Sequence, residues 1–173
     1  TAPQVAALGR AHVLSAAMLL FAGHRALADG AGAITVDGRL DEPAWAQAPV
    51  AVDFVQNEPR PDNPASEKTE VRVLYDNDNI YFGVYAYDSE TRRIIISDLK
   101  KDFDSSTGDS FEIVLDTFLD RRNGYQFATN PAGAKWDAQM VNEGRETNAN
   151  WDAIWSVKTR IVKDGWIAEI AIP

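Results

Sequence analysis

The chain has 173 residues, room for one domain with a sizeable core and too few for two. At 45% hydrophobic and 25% charged it has the composition of a folded domain, which excludes a disordered tail. Its 26 acidic and 17 basic residues give a formal charge of −9, which argues against nucleic acid as a partner, and the lack of cysteine excludes disulfides, thiolate zinc sites and cysteine nucleophiles.

The chain opens with a pattern of export. Arg10 and His12 precede the apolar run from Val13 to Ala22, and Ala26-Leu27-Ala28 follows with the small-x-small spacing of a cleavage site. The run is too short to span a bilayer, which takes about 20 residues. Residues 1–28 are therefore expected to be a signal-peptide helix and residues 29–173 the exported domain. Only Arg10 and Arg25 of the basic residues, and none of the acidic ones, fall in the leader. This leaves 15 basic against 26 acidic residues, a formal charge of −11, on the exported part. Such a surface attracts cations, calcium included, although acidity of this kind is also an ordinary solubility feature.

Beyond Ile34 the hydrophobic period is two. A short helical turn is expected at Asp41–Gln47, with Asp41 as cap and Pro43 in the first turn. An extended surface loop follows between Asn57 and Lys68, where Pro59, Pro61 and Pro64 fall. Val71, Val73 and Tyr75 alternate with Glu70 and Arg72, and Asp76-Asn77-Asp78-Asn79 supplies a turn. Ile80 to Tyr87 then places Ile80, Phe82, Val84 and Ala86 on one face and Tyr81, Tyr85 and Tyr87 on the other, which predicts a hairpin. Phe111, Ile113 and Leu115 mark a further strand. Gly124–Asn130 and Ala134–Val141 form a pair around Pro131-Ala132-Gly133. The last hairpin runs from Trp155 through Lys163-Asp164-Gly165 to Ile172.

Short strands with turns every 8–12 residues predict an all-β fold, an antiparallel two-sheet β-sandwich of immunoglobulin-like or jelly-roll-like architecture. The strand pattern stops at Pro173, and sandwich edges need covering, so the domain is expected to continue beyond it. Both histidines, His12 and His24, lie in the leader. Residues 29–173 therefore lack the groups for Ser-His-Asp or Cys-His catalysis and for imidazole-ligated zinc. Haem ligation would have only Met140 to draw on. Carboxylate chemistry survives in principle, but no acidic pair is singled out, and the reading is of a protein that binds and does not catalyse.

Five motifs taken in order carry a resemblance. They are Ile34-Thr35-Val36-Asp37-Gly38-Arg39-Leu40-Asp41-Glu42-Pro43-Ala44-Trp45; Val71-Arg72-Val73-Leu74-Tyr75-Asp76 with Ile80-Tyr81-Phe82-Gly83-Val84 and Asp88; Asp109-Ser110-Phe111-Glu112-Ile113-Val114-Leu115-Asp116; Tyr125-Gln126-Phe127 with Asn130 and Gly133; and Gly165 to Pro173. Over residues 34–173 their order and spacing resemble carbohydrate-binding module family 9. The stretch Asn130-Pro131-Ala132-Gly133, with Asp116–Arg122 before it and Trp151-Asp152-Ala153-Ile154-Trp155 after it, is similar to a particular subgroup. There the module is the N-terminal periplasmic domain of a Gram-negative outer-membrane-associated protein with a barrel-like C-terminal region. The resemblance implies a non-catalytic β-sandwich that binds poly- or oligosaccharide in polysaccharide breakdown, associated with glycoside hydrolases only through attached domains. Contact with the membrane would come only through the C-terminal region. Calcium is bound by some members.

One position departs from that pattern. The resemblance implies a sugar-stacking Trp three residues before Asp109, where this chain has Ser106. The alternative, a structural or docking domain that has lost the sugar site, therefore stays open. Candidate ligand-binding residues are Trp151, Trp136, Trp155, Asn130 and Arg121. Trp151 follows a polar loop and suits a platform or packing equally. Trp136, between Ala134 and Ala138, and Trp155, at the start of the last hairpin, read more as core, and Trp45 reads as a core plug. Arg121 sits in a turn that solvation alone would explain. Asp88, Asp102, Asp104 and Asp109 form the candidate calcium set, against the alternative of a solvated acidic edge.

Overall fold

The computed structural model describes residues 34–173 and, before them, the strand segments Ala6–Leu8 (β1) and Val13–Met18 (β2). These two segments are strands and not the helix expected of a leader. A short apolar run fits a strand as well as a helix, and periodicity alone does not separate the two. The rest of residues 1–28, with the cleavage pattern Ala26-Leu27-Ala28, lies outside the described residues.

A short helix, Pro43–Gln47 (α1), precedes the main strands. They are Val50–Ala51 (β3), Val55–Gln56 (β4), Thr69–Tyr75 (β5), Ile80–Tyr87 (β6), Ser110–Leu115 (β7), Gly124–Thr129 (β8), Lys135–Val141 (β9), Glu146–Asn148 (β10), Ser156–Val162 (β11) and Gly165–Ile172 (β12). One sheet has the order β10-β9-β8-β7-β2-β1-β4 and the other β11-β12-β6-β5-β3. Pairing is antiparallel except where β2 meets β7 and β1 meets β4. The all-β sandwich read from the sequence is the fold.

The alternation explains the layers. Val71, Val73, Phe82, Val84, Ala168 and Ile170 of one sheet meet Phe111, Ile113 and Phe127 of the other in a single apolar core. Asp76 holds the β5–β6 turn. Its Oδ1 accepts the amides of Asp78 and Asn79, both at 2.8 Å, and its Oδ2 accepts the Tyr81 hydroxyl, as this residue type does at turns.

A second apolar layer covers the outside of the five-stranded sheet. Ile34, Ala44, Trp45 and Ala48 pack there on Leu74, Tyr81 and Ala171. This explains why β12 is buried along its whole length, and why Trp166 to Ile172 reads as a nearly continuous apolar run. The exception in that run is Glu169, which is 0% exposed and faces the N-terminal segment. Its Oε2 accepts the amides of Asp37 at 2.8 Å and Gly38 at 3.1 Å, and its Oε1 accepts the Trp45 indole N–H at 3.0 Å.

Gly83 makes room for this layer. A Cβ there would sit 2.8 Å from a Leu40 methyl carbon and 2.9 Å from the Trp45 ring. Gly83→Ala is expected to cost about 1–3 kcal/mol through overpacking, because a ring pinned at its N–H yields poorly. A urea midpoint unchanged from the wild type would show that Trp45 repacks freely.

The expected strands are all present. Besides β1 and β2, three short ones, β3, β4 and β10, were not expected. β3 and β4 have two residues each, and β10 is exposed throughout, so none of them carries a readable alternation. The expected cap is also corrected. Glu42, not Asp41, occupies the N-cap of α1 and makes no side-chain cap bond. Its Oε1 instead accepts the Thr35 amide at 3.0 Å.

Candidate functional site

An aromatic series leads from the core to the surface. Trp155 meets Phe127 edge-on at 5.5 Å, and Phe127 meets Trp151 edge-on at 6.0 Å. Trp151 in turn lies over Tyr125 at 4.6 Å with 30° between the planes. Tyr125 and Phe127 both belong to β8 and share a face because side chains alternate along a strand. Trp151 comes from the segment between β10 and β11, held in place by Asp137 of β9.

Asp137 is fully buried and faces the core, in register with Phe127. Its Oδ1 accepts the Ala153 amide at 3.1 Å and its Oδ2 the Trp155 indole N–H at 2.8 Å. The Lys101 ammonium stands 4.0 Å from the same carboxylate and pairs with Asp152 outside it. The 151–155 segment is thereby clamped at both ends.

Beside it opens a cleft of about 610 Å³, lined by Trp151, Tyr125, Ile80, Leu115, Ile154 and Ile172 among others. Asp116, Thr117 and Asp152 are its polar groups. An apolar, aromatic wall with a few hydrogen-bonding groups is the usual make-up of a small-ligand site. Ile154 is 92% exposed on its rim.

The other candidates have different surroundings. Trp155 is 4% exposed and packs in the core, with its indole N–H spent on Asp137; only its edge borders a second groove beside Lys135. The Lys135 ammonium lies 5.2 Å from the centre of the Trp155 ring and donates to the Trp155 carbonyl at 3.0 Å. Asn130 is 1% exposed and fastens its own turn. Its Oδ1 accepts the amides of Ala132 and Ala134, and its Nδ2 donates to the Asp98 carbonyl. Trp136 is half-buried on the outside of the seven-stranded sheet, packed with Phe103, Ala128 and Ala134. Arg121 is exposed in a turn with φ of 57°, its amide bonded to Asp116 Oδ2 at 2.8 Å. Of the five, only Trp151 stands in the cleft.

The calcium set does not assemble. Among the described residues no group of three or more His, Cys, Asp or Glu side chains is placed to hold a metal ion. The four carboxylates serve local backbone or lysine partners. Asp88 accepts the Glu90 amide at 2.6 Å, and Asp109 the Ile95 amide at 2.6 Å. Asp104 accepts the amide and hydroxyl of Ser106, which hold its carboxyl below the usual range. Asp102 pairs with Lys101 at 3.3 Å. Ser106 itself is exposed in the Asp104 turn, with no aromatic surface to offer.

Three residues without an assigned role in the sequence take part in these arrangements. Tyr125 carries Trp151, and Asp137 clamps the segment. Glu112, on the outside of the seven-stranded sheet, is buried against Gln126, whose amide donates to it. Burial pushes the Glu112 carboxyl up, partly offset by that donor. The readable signal for Asp137 and Glu112 was a charged side chain inside a strand pattern.

Two solved structures of a carbohydrate binding module family 9 from Caldicellulosiruptor kristjanssonii share the fold, one in complex with cellotriose and one with glucose. Their TM-scores are 0.58 and 0.57, at 20% and 19% identity over 82% of this chain. The chain spans 63% and 64% of their lengths, less than two thirds. No curated protein matches the chain. Residues 36–173 match the family described as carbohydrate family 9 binding domain-like. With that match covering most of its length, the chain belongs to this family.

Proposed function

We propose that the domain is a non-catalytic module that binds a neutral oligosaccharide in the Trp151 cleft. The observation that carries this reading is the half-buried Trp151 ring, braced on Tyr125 at 4.6 Å at the wall of an apolar cleft with acidic groups. A pyranose presents a C–H face that stacks on such a ring, while its hydroxyls donate to Asp116 and Asp152. The family and the sugars in its structural relatives, cellotriose and glucose, support the ligand class. The basic flank, apolar run and Ala26-Leu27-Ala28 support a site of action at the bacterial cell envelope, periplasmic or at the outer membrane.

A second location on the same domain is favoured by Glu112 and Gln126. Glu112 is buried on β7, a strand that begins four residues after Ser106, where the resemblance implies a stacking ring, and it accepts from half-buried Gln126 of the neighbouring β8. Calorimetric titration with cellotriose and glucose separates the two locations. Trp151→Ala is expected to weaken binding by roughly tenfold, with the near-ultraviolet dichroism of a folded domain retained. Full affinity in Trp151→Ala and loss in Glu112→Gln would move the site to the sheet face. A folded wild type that binds neither sugar would leave the docking role, which Ser106 favours, as the better reading.

A further inference from the structure

A second groove, of about 540 Å³, shares no lining residue with the Trp151 cleft. Its walls include Val36, Tyr81 and Val157, and its polar groups are Asn79, Lys135, Ser156 and Lys158. The two openings differ in charge. The Trp151 cleft is lined by carboxylates and no base, this groove by two lysines and no carboxylate. In a chain with 26 acidic and 17 basic residues, a groove whose charged lining among the described residues is two lysines runs against composition.

Among the described residues neither lysine is held in an ion pair. Most arginines and lysines with a defined partner here face a carboxylate, as Lys68 and Arg72 do with Glu70. Lys135 instead donates to the Trp155 carbonyl and lies over that ring, which leaves two of its three N–H donors unspent. Lys158 is exposed on β11, on the groove wall. Glu169 is the register partner of Lys158 on β12, but its carboxylate is buried and accepts the Asp37 and Gly38 amides and the Trp45 indole N–H. Asp76 lies behind Tyr81 and Asn79. It is occupied by two amides and a hydroxyl, which hold its carboxyl below the usual range.

We infer that this groove binds an anionic sugar residue, with Lys135 and Lys158 pairing its charge. Asn79 and Ser156 provide hydrogen bonds for ring hydroxyls, and Val36 and Val157 an apolar wall for a C–H face. The inference does not rest on the Trp151 cleft, which offers no base to an anion.

The test is titration of the Trp151→Ala chain, in which the neutral-sugar cleft is weakened, with trigalacturonate, with glucose 6-phosphate and with cellotriose as the neutral control, at low and high salt. Trigalacturonate or glucose 6-phosphate should bind more tightly than the control and weaken as salt rises. Which of the two binds identifies carboxylate or phosphate as the charge. Lys158→Glu, an exposed change that leaves the core alone, should weaken that binding by at least about tenfold. Lys135→Met should do the same, while restoring Trp151 should leave it unchanged. The inference is overturned if neither anion binds better than the control, or if an anion binds equally well to Lys158→Glu.

Discussion

Replacing Glu169 with alanine is expected to lower the stability of the domain by about 3–5 kcal/mol. The carboxylate is the acceptor for two amides and one indole N–H, from Asp37, Gly38 and Trp45. A buried donor left without a partner costs about 1–3 kcal/mol, and three are orphaned together. The loss falls on the segment that seats Trp45, so the outer layer should loosen as one unit. Glu169→Gln should recover part of the loss, since its single amide oxygen can serve one of the two acceptor positions.

The same carboxyl carries a pH signature. Burial raises its pKa, offset in part by the three donors, and the Glu42 carboxylate pushes in the same direction as burial. Glu42 has an oxygen of its own that is buried without a hydrogen-bond partner. An acid whose pKa is raised on folding holds its proton more tightly in the folded state. Its contribution is therefore fully present below the ordinary value of 4.5 and is lost as pH rises through the folded value. Relative to Glu169→Gln, the wild type should gain stability on acidification across that window. Glu112, also raised by burial, is common to both proteins and drops out of the difference. Urea midpoints at several pH values read both effects. Equal midpoints for wild type and Glu169→Ala would mean that the amides and indole find water instead.

How much of this was legible in sequence depends on the residue. Phe82, Val84, Phe111, Ile113 and Phe127 announce a sandwich because a half-buried strand must alternate, and each alternation became a strand with its apolar face inward. Trp45 was legible as core, since a large aromatic beside a helical turn needs a surface to cover. The surface it covers was not. Glu169 stands in an apolar run, and nothing local says that its partners lie 132 and 124 positions away, at Asp37 and Trp45. β10 was invisible because Glu146, Thr147 and Asn148 bury nothing. Among site candidates, Trp151 stands in a cleft, while Trp155 and Asn130 are held inside by bonds to Asp137 and to the Asn130 turn. Aromatic spacing nominates both kinds alike. The aspartates follow the same logic: proximity in sequence suggested a cation, but loop amides claim Asp88 and Asp109 first.

Asp137→Ala is expected to couple stability to binding. The substitution removes the acceptor for the Ala153 amide and the Trp155 indole and leaves Lys101 with less to hold. A buried donor left without a partner costs about 1–3 kcal/mol, so a loss of about 2–5 kcal/mol follows. Asp137→Asn should fall between, because its amide oxygen keeps one bond and its amide nitrogen cannot accept the other. The site should feel the change because, among the described residues, Trp151 has no other clamp of this kind. Its own amide reaches only the Asn148 carbonyl, at 3.3 Å. With Ala153 released, the ring can slide off Tyr125, and an aromatic platform that moves pays ordering entropy on every binding event. Cellotriose affinity should therefore fall in Asp137→Ala under conditions where dichroism still reports a folded domain. A stable Asp137→Ala with unchanged affinity would show that the 151–155 segment is held from elsewhere. Destabilisation with unchanged affinity would show instead that the clamp serves the fold alone, and that the ligand sits away from Trp151.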